Sequence, residues 1–257
     1  VSETIVARLC RRERVFILAG GLGTRLAGVV SDRPKVLALV DDRPFLGILI
    51  DLLLARGIRR IVLLLGHRAE QVLDFVQAGR SSWPAELEIE ASTEPSPLGT
   101  GGALKLASRF CDERFLLCNG DTYLDLDLDA LLRAHENARA LVTLAAATVD
   151  NADRYGRLDL SAQGSLAGFC EKDGGARPGL INAGVYVMEP AVLHRIVAPS
   201  SLERQVLPGL LAAGEPIGVS PQGGAFFDIG TPASYHDFVA FYRARRLSSA
   251  GVPPVIS

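Results

Sequence analysis

The first half of the chain alternates short apolar runs with longer amphipathic segments. The runs at 15–18, 61–65, 87–91 and 114–118 have the length of strands, and the segments at 45–56, 68–78 and 101–109 have the length and periodicity of helices. Gly57 and Gly79 stand where helices stop. Such alternation is the pattern of βαβ units, and it predicts a largely parallel sheet with helices on its faces. Beyond Asp121 the pattern changes. A helix is expected over 127–138 and a long strand over 140–149, followed by short glycine-punctuated strands near 157–160, 166–170 and 181–188. Helices are then expected over 190–197, 201–213 and 231–247, with Ser200 or Ser201 and Thr231 as N-caps and Pro232 at a first helical position. The whole reads as one mixed α/β domain over residues 1–250, with 251–257 as a loose tail.

Composition narrows the possible partners. A chain of 257 residues that is 48% hydrophobic can bury a full core, and its formal charge of −2 argues against nonspecific binding of nucleic acid, which requires a basic excess. Cys10, Cys111, Cys118 and Cys170 form no CxxC pair and have no histidine at metal spacing, as expected of reduced thiols. Apolar stretches are interrupted by Asp51, Arg56, Arg59 and Arg60, well short of a membrane span. The N-terminal segment, with Arg11-Arg12-Glu13-Arg14, lacks the apolar core of a signal peptide. A cytoplasmic location is expected, and homo-oligomerisation is left open.

The chemistry concentrates in residues 19–26, AGGLGTRL, which follow the first apolar run. Ala19, Gly20, Gly21 and Gly23 let backbone N–H groups converge on an anion, and Thr24 and Arg25 add a hydroxyl and a forked cation. Lys35, after Pro34, adds a second cation. The spacing is neither GxxxxGK[ST] nor GxGxxG, so neither the P-loop nor the dinucleotide reading fits. On spacing alone a tight turn remains an alternative. Asp121 follows a strand by two residues, placing it at the carboxyl edge of the sheet, where open α/β proteins bind ligands. Asp228, after Ala225-Phe226-Phe227, is a second carboxylate, and two such groups with waters and phosphate oxygens suit Mg²⁺. Each taken alone would more often cap a helix or close a turn. Asp125, Asp127 and Asp129 lack the glycine and glutamate of a calcium loop and read as an acidic face with Asp127 or Asp129 capping the next helix. His67, His135, His194 and His236 are scattered without an evident partner.

With its GGLGTRL loop and Pro34-Lys35, the chain resembles the sugar nucleotidyltransferases. The resemblance continues through Pro97-Leu98-Gly99-Thr100-Gly101-Gly102-Ala103, Asn119-Gly120-Asp121, Glu171-Lys172, Asn182-Ala183-Gly184-Val185-Tyr186 and Phe227-Asp228-Ile229-Gly230-Thr231-Pro232. It is strongest to the sugar-1-phosphate guanylyltransferases, in particular the branch acting on D-glycero-D-manno-heptose 1-phosphate, with mannose 1-phosphate next. The resemblance implies a glycosyltransferase-A-like (Rossmann-like) three-layer α/β sandwich with a mixed, mostly parallel central sheet. It implies GTP and a sugar 1-phosphate as substrates, with Mg²⁺ held by Asp121 and Asp228. Leu18, Ala19, Gly20, Gly21, Gly23, Thr24, Glu94, Gly99, Thr100 and Gly101 would meet the nucleotide, and Arg25 and Lys35 the transferring phosphoryl group. Asn119, Gly156, Glu171, Lys172 and Asn182 would meet the sugar phosphate. Without the resemblance, Glu171-Lys172 reads as a solvated pair at a strand end. Glu94 stands where pyrimidine-using relatives commonly carry glutamine, and a carboxylate can accept both N1–H and N2–H of guanine. Ser201-Leu202-Glu203 also resembles a guanylyltransferase segment, although on its own it is a helix start. The Pro-Lys-Pro-Met run common in these enzymes is here Pro34-Lys35-Val36-Leu37, which keeps the cation. A uridylyltransferase acting on an amino-sugar phosphate and a catalytically silent nucleotide-sugar sensor are the alternatives.

Overall fold

The computed structural model describes residues 13–250 apart from 27, 153–154, 156, 163 and 171–176. Strand β1 (Arg14–Leu18) leads through the glycine-rich loop to a hairpin of β2 (Leu39–Val40) and β3 (Arg43–Pro44), then α1 (Phe45–Ala55). Next come β4 (Arg60–Leu65), α2 (Ala69–Gly79), β5 (Glu88–Thr93), α3 (Gly99–Leu106), β6 (Phe115–Asn119) and β7 (Thr122–Leu124). The second half contains α4 (Leu128–Ala138), β8 (Val142–Val149), β9 (Arg157–Leu160), β10 (Leu166–Cys170) and β11 (Gly179–Met188). It ends with α5 (Leu207–Ala212), β12 (Ile217–Gln222), β13 (Phe226–Asp228) and α6 (Pro232–Ala250).

The parallel strands stand in the order β5-β4-β1-β6, so chain order reverses at β1 and opens a crevice beyond its carboxyl end. β11 joins antiparallel to β6, β8 runs antiparallel to β11, and β12 lies parallel to β8. The β9–β10 hairpin attaches beside the start of β11. Alternate residues of the central strands feed two cores. Val15, Ile17, Ile61 and Leu63 pack with Leu46 and Ile50 of α1, Val72 of α2 and Leu131 of α4. Phe16, Val62 and Leu117 pack on the opposite face with Leu104 of α3 and Leu207 and Leu210 of α5. This is the expected three-layer sandwich. A third cluster beyond α1 joins Leu26, Val40, Phe45, Tyr123, Ile229 and Phe238, binding α6 to the two small hairpins.

Several elements depart from the sequence reading. The helix expected over 190–197 is a 3-10 turn at Pro190–Arg195. The segment 201–213 splits into a wide π turn over Leu202–Val206 and the short α5. Pro208 has no N–H to give Arg204, and Leu207 instead donates to Leu202, so the chain widens just before the proline. β12 was not expected, because Gly218 and Pro221 obscure a strand; among the described residues it is an edge strand paired only with β8, where proline is tolerated. Asp127 rather than Asp129 caps α4, accepting from the Ala130 N–H at 2.8 Å. His135 does have partners: it is buried between the Thr143 hydroxyl, at 2.9 Å, and Glu189, at 3.1 Å, and burial lowers its pKa. Cys111 and Cys118 are free thiols pushed up to about 12 by burial. Cys10 and the expected tail at 251–257 lie outside the described residues. No described helix is long and apolar enough to cross a membrane.

Candidate active site

The crevice at the reversal point is a cleft of about 650 Å³. Its floor is backbone. Ala19 N–H donates to Leu64 O at 2.8 Å, and His67 N–H reaches Gly20 O at 3.3 Å, tying the loop after β1 to the loop after β4. A Cβ on Gly20 would stand 2.9 Å from Gly66 N, so this approach admits no side chain there. Gly21 has open space above it, leaving its backbone accessible to a ligand. Gly23 adopts φ 64° and turns the chain so that Thr24, Arg25 and Lys35 join the same cleft wall.

At one end stands Glu94, carried on the loop after β5. Its Oε2 accepts the Leu98 N–H at 3.0 Å, and its Oε1 lies so close to Gly66 that a Cβ there would be 2.6 Å away. The carboxylate is therefore fixed in place on the cleft wall and keeps acceptor capacity beyond the bond to Leu98.

At the other end the chain brings together residues far apart in sequence. β7 and β13 form a two-stranded sheet in which Thr122 opposes Asp228, and Ile229 N–H donates to Asp121 O at 2.9 Å. Lys35 is ion-paired with Asp121, and its ammonium lies 3.9 Å from Asp228 Oδ1. Two carboxylates thus already share one cation. Oxygen-only donors of this kind suit a hard divalent ion that keeps waters and phosphate oxygens as its other ligands. Among the described residues no group of three or more His, Cys, Asp and Glu forms a closed metal cage.

The cleft wall includes Leu18, Ala19, Gly20, Gly21, Gly23, Thr24, Arg25, Lys35, Glu94, Gly99, Thr100, Asn119 and Asp121. Gly101 is elsewhere: it is packed against Ser200, donating its N–H to Ser200 O at 2.9 Å, and a Cβ there would meet Ser200 Oγ at 2.6 Å. The glycines of the PLGTGGA motif thus also serve the close approach of α3 to the 198–201 segment. Asn182 is turned back on its own strand, donating to the Tyr186 hydroxyl at 2.8 Å and accepting from Gly184 N–H at 3.0 Å. Asp228 is reached through Lys35 and Gly230 rather than from the cleft wall. Gly156, Glu171 and Lys172 lie outside the described residues. The cleft also holds Pro95, Ser96 and Pro97, within the 94–102 stretch expected to meet the base, and residues to which the sequence pattern gives no site role: Gly66, His67 and Glu203. The signal for Gly66-His67 was available, since they follow a parallel strand at the same sheet edge as Gly20. For Glu203 it was only the Ser-Leu-Glu segment.

The sequence profile of the family described as nucleotidyl transferase matches residues 14–245. The chain belongs to this nucleotidyl transferase family. It is 33% identical over 181 residues to D-glycero-alpha-D-manno-heptose 1-phosphate guanylyltransferase of Campylobacter jejuni, covering 70% of this chain and 78% of that protein. It is 31% identical over 233 residues to the mannose-1-phosphate guanylyltransferase catalytic subunit beta of Drosophila melanogaster, covering 89% of this chain but 62% of that longer protein. The crystal structure of HddC from Yersinia pseudotuberculosis complexed with GMP-PN superposes with a TM-score of 0.79 at 31% identity, covering 90% of this chain and 99% of HddC. UDP-glucose pyrophosphorylase from Acinetobacter baumannii, at 20% identity and a TM-score of 0.74, shares the fold. In this nucleotidyl transferase chain, then, the reversal-point crevice lies within the matched region, and the glycine loop, Glu94 and the Lys35–Asp121 pair all fall inside it.

Proposed function

We propose that the chain transfers GMP from GTP to a manno-configured sugar 1-phosphate, with D-glycero-D-manno-heptose 1-phosphate ahead of mannose 1-phosphate, releasing pyrophosphate and forming a GDP-sugar. The observation that carries this reading is the fixed carboxylate of Glu94 at one end of a cleft whose other end holds Lys35 and Asp121, with Asp228 joined to them through Lys35. The guanylyltransferase relatives support the same nucleotide and sugar class, and the complex of HddC with GMP-PN supports the nucleotide.

Guanine presents two adjacent donors, N1–H and N2–H, and an acceptor-only carboxylate complements both. Uracil offers one donor flanked by two acceptors, so the same carboxylate repels it. The triphosphate lies along the loop from Gly20 to Arg25, where backbone N–H groups and the guanidinium meet its oxygens. A sugar phosphate is mostly dianionic at neutral pH, its second pKa being about 6, so the nucleophile needs no general base. Catalysis then reduces to in-line positioning and neutralisation of charge, supplied by Arg25 and Lys35. Asp121 and Asp228 would hold Mg²⁺, which when bound supplies further positive charge to the phosphate oxygens. Lys35 also keeps the two carboxylates from repelling one another. Glu171 and Lys172 belong to the proposal on their sequence motif, with the ammonium on the incoming sugar phosphate and the carboxylate on sugar hydroxyls. The protein is proposed to be cytoplasmic and to form one domain over residues 1–250.

The test is pyrophosphate release with Mg²⁺, each of the four nucleoside triphosphates and a panel of sugar 1-phosphates. Release with GTP and a manno-heptose or mannose 1-phosphate is expected. Preference for UTP with an amino-sugar phosphate would replace the reading, and nucleotide binding without turnover would reduce the chain to a sensor.

A further inference from the structure

Glu203 is the one carboxylate on the described cleft wall for which neither the nucleotide end nor the Lys35 centre gives a role. It sits on the π turn, half-buried, and it is fixed by hydroxyls rather than by a cation. Thr100 Oγ1 and Ser201 Oγ each donate to Oε2 at 2.9 Å. Thr100 Oγ1 in turn accepts the Leu202 N–H at 2.8 Å, and Ser201 Oγ accepts the Arg204 N–H at 3.3 Å, so both donors have their directions set. No described Lys, Arg or His is ion-paired with Glu203, and no hydrogen bond reaches Oε1 from a described residue. A half-buried charge held this way has acceptor capacity left over, and it is costly unless a donor meets it.

The class of donor follows from charge and place. The phosphate-facing cations, Arg25 and Lys35, belong to the loops after β1, and an anion such as Glu203 would repel phosphate oxygens. Neutral hydroxyls are the remaining donors on the substrates. Between those of ribose and those of the sugar, the flank decides. Glu94, Gly66 and Gly20 mark the nucleoside side on the edge of β1, β4 and β5. Glu203 is anchored through Thr100, two residues beyond the Leu98 whose N–H Glu94 accepts, but its charge reaches the buried Tyr186 hydroxyl of β11, across β6 from the nucleoside strands, whose pKa is raised by burial and then by Glu203. That hydroxyl also receives Asn182.

Building on the guanylyltransferase reading, we propose that Glu203 is a specificity residue whose free carboxylate oxygen accepts a hydroxyl of the incoming sugar 1-phosphate. Thr100 and Ser201 are positioning residues that hold it. In Glu203→Gln the amide oxygen takes over the Thr100 and Ser201 bonds and the NH₂ turns to the cleft, converting an acceptor into a donor without changing shape.

Steady-state kinetics on the purified full chain tests this, comparing wild type, Glu203→Gln and Ser201→Ala with mannose 1-phosphate and its four monodeoxy analogues. The expected result for Glu203→Gln is a rise of about tenfold or more in KM for the sugar phosphate, with KM for GTP within about twofold. Ser201→Ala should move the same parameter less. One deoxy analogue should lose with the wild type what the parent sugar loses with Glu203→Gln, and the variant should no longer distinguish that analogue from the parent. Equal rises in both KM values, a rise for GTP alone, no change, or additive losses from the variant and every analogue would each overturn the assignment. Failure of the wild type to release pyrophosphate with GTP and any sugar phosphate would instead overturn the reaction class.

Discussion

The two ends of the cleft are built by different means. At the Glu94 end the geometry is made by backbone: glycines after parallel strands approach within van der Waals contact, and one side chain is seated against them. At the Lys35 end it is made by side chains from three distant segments, held together by a two-stranded sheet outside the main one. A site made of backbone can be damaged by adding atoms, and a site made of charges by removing them.

The largest effect is expected at the charged end. Asp228→Asn should lower kcat by about 10²–10³, the usual cost of losing one preorganised electrostatic group, while leaving KM for GTP within a few-fold. A loss below tenfold would remove Asp228 from the reacting centre. At the backbone end, Gly66→Ala places a Cβ 2.6 Å from Glu94 Oε1 and 2.9 Å from Gly20 O. It should raise KM for GTP about tenfold or more, together with an overpacking penalty of about 1–3 kcal/mol seen in thermal melts. An unchanged KM would mean that Glu94 is not held by this contact. Glu94→Gln, which keeps the shape, should lower the ratio of kcat/KM for GTP over UTP about tenfold, and an unaltered ratio would detach base choice from this residue.

Gly101→Ala separates the two uses of the PLGTGGA glycines. Because Gly101 abuts Ser200 and is absent from the cleft wall, the variant should lower Tm by roughly 2–6 °C with KM for GTP unchanged. A raised KM with unaltered Tm would restore Gly101 to the nucleotide. The smallest effect is far from both ends. Burial lowers the His135 pKa from its ordinary 6.5, so the unfolded chain takes up the proton first and stability falls as pH drops through about 6.5 toward the folded value. His135→Gln should flatten the decline of Tm between about pH 7.5 and 5.5. An unchanged slope would show that another group carries the dependence.

The same contrast governed what could be read in advance. The parallel half was legible because Val15 to Leu18 and Ile61 to Leu65 are continuous apolar runs and glycine spacing advertises close backbone approach. The antiparallel half was less so. β12 hides behind Gly218 and Pro221, and its buried polar Ser220 and Gln222 imitate a loop until Gln222 is seen accepting Asp127 N–H at 2.7 Å and donating to Ser220 Oγ at 3.0 Å. The site shows the same split. Lys35, Asp121 and Asp228 stand out by their motifs, but their meeting depends on the β7–β13 pairing, which three-residue strands do not announce. Glu203 needed the π turn, and the π turn needed Pro208 and the packing of Ser200 against Gly99 and Gly101.

The β7–β13 pairing also sets a timetable. A ribosome delivers the chain from its N-terminus, so the glycine loop, Lys35 and Asp121 are all available while β13 is still unsynthesised. Until Phe226–Asp228 arrives and α6 packs its aromatic face onto Tyr123, Lys35 has only one of its two carboxylates. A nascent chain can thus shape its glycine loop early yet hold only part of the proposed charged centre until nearly the whole domain has emerged.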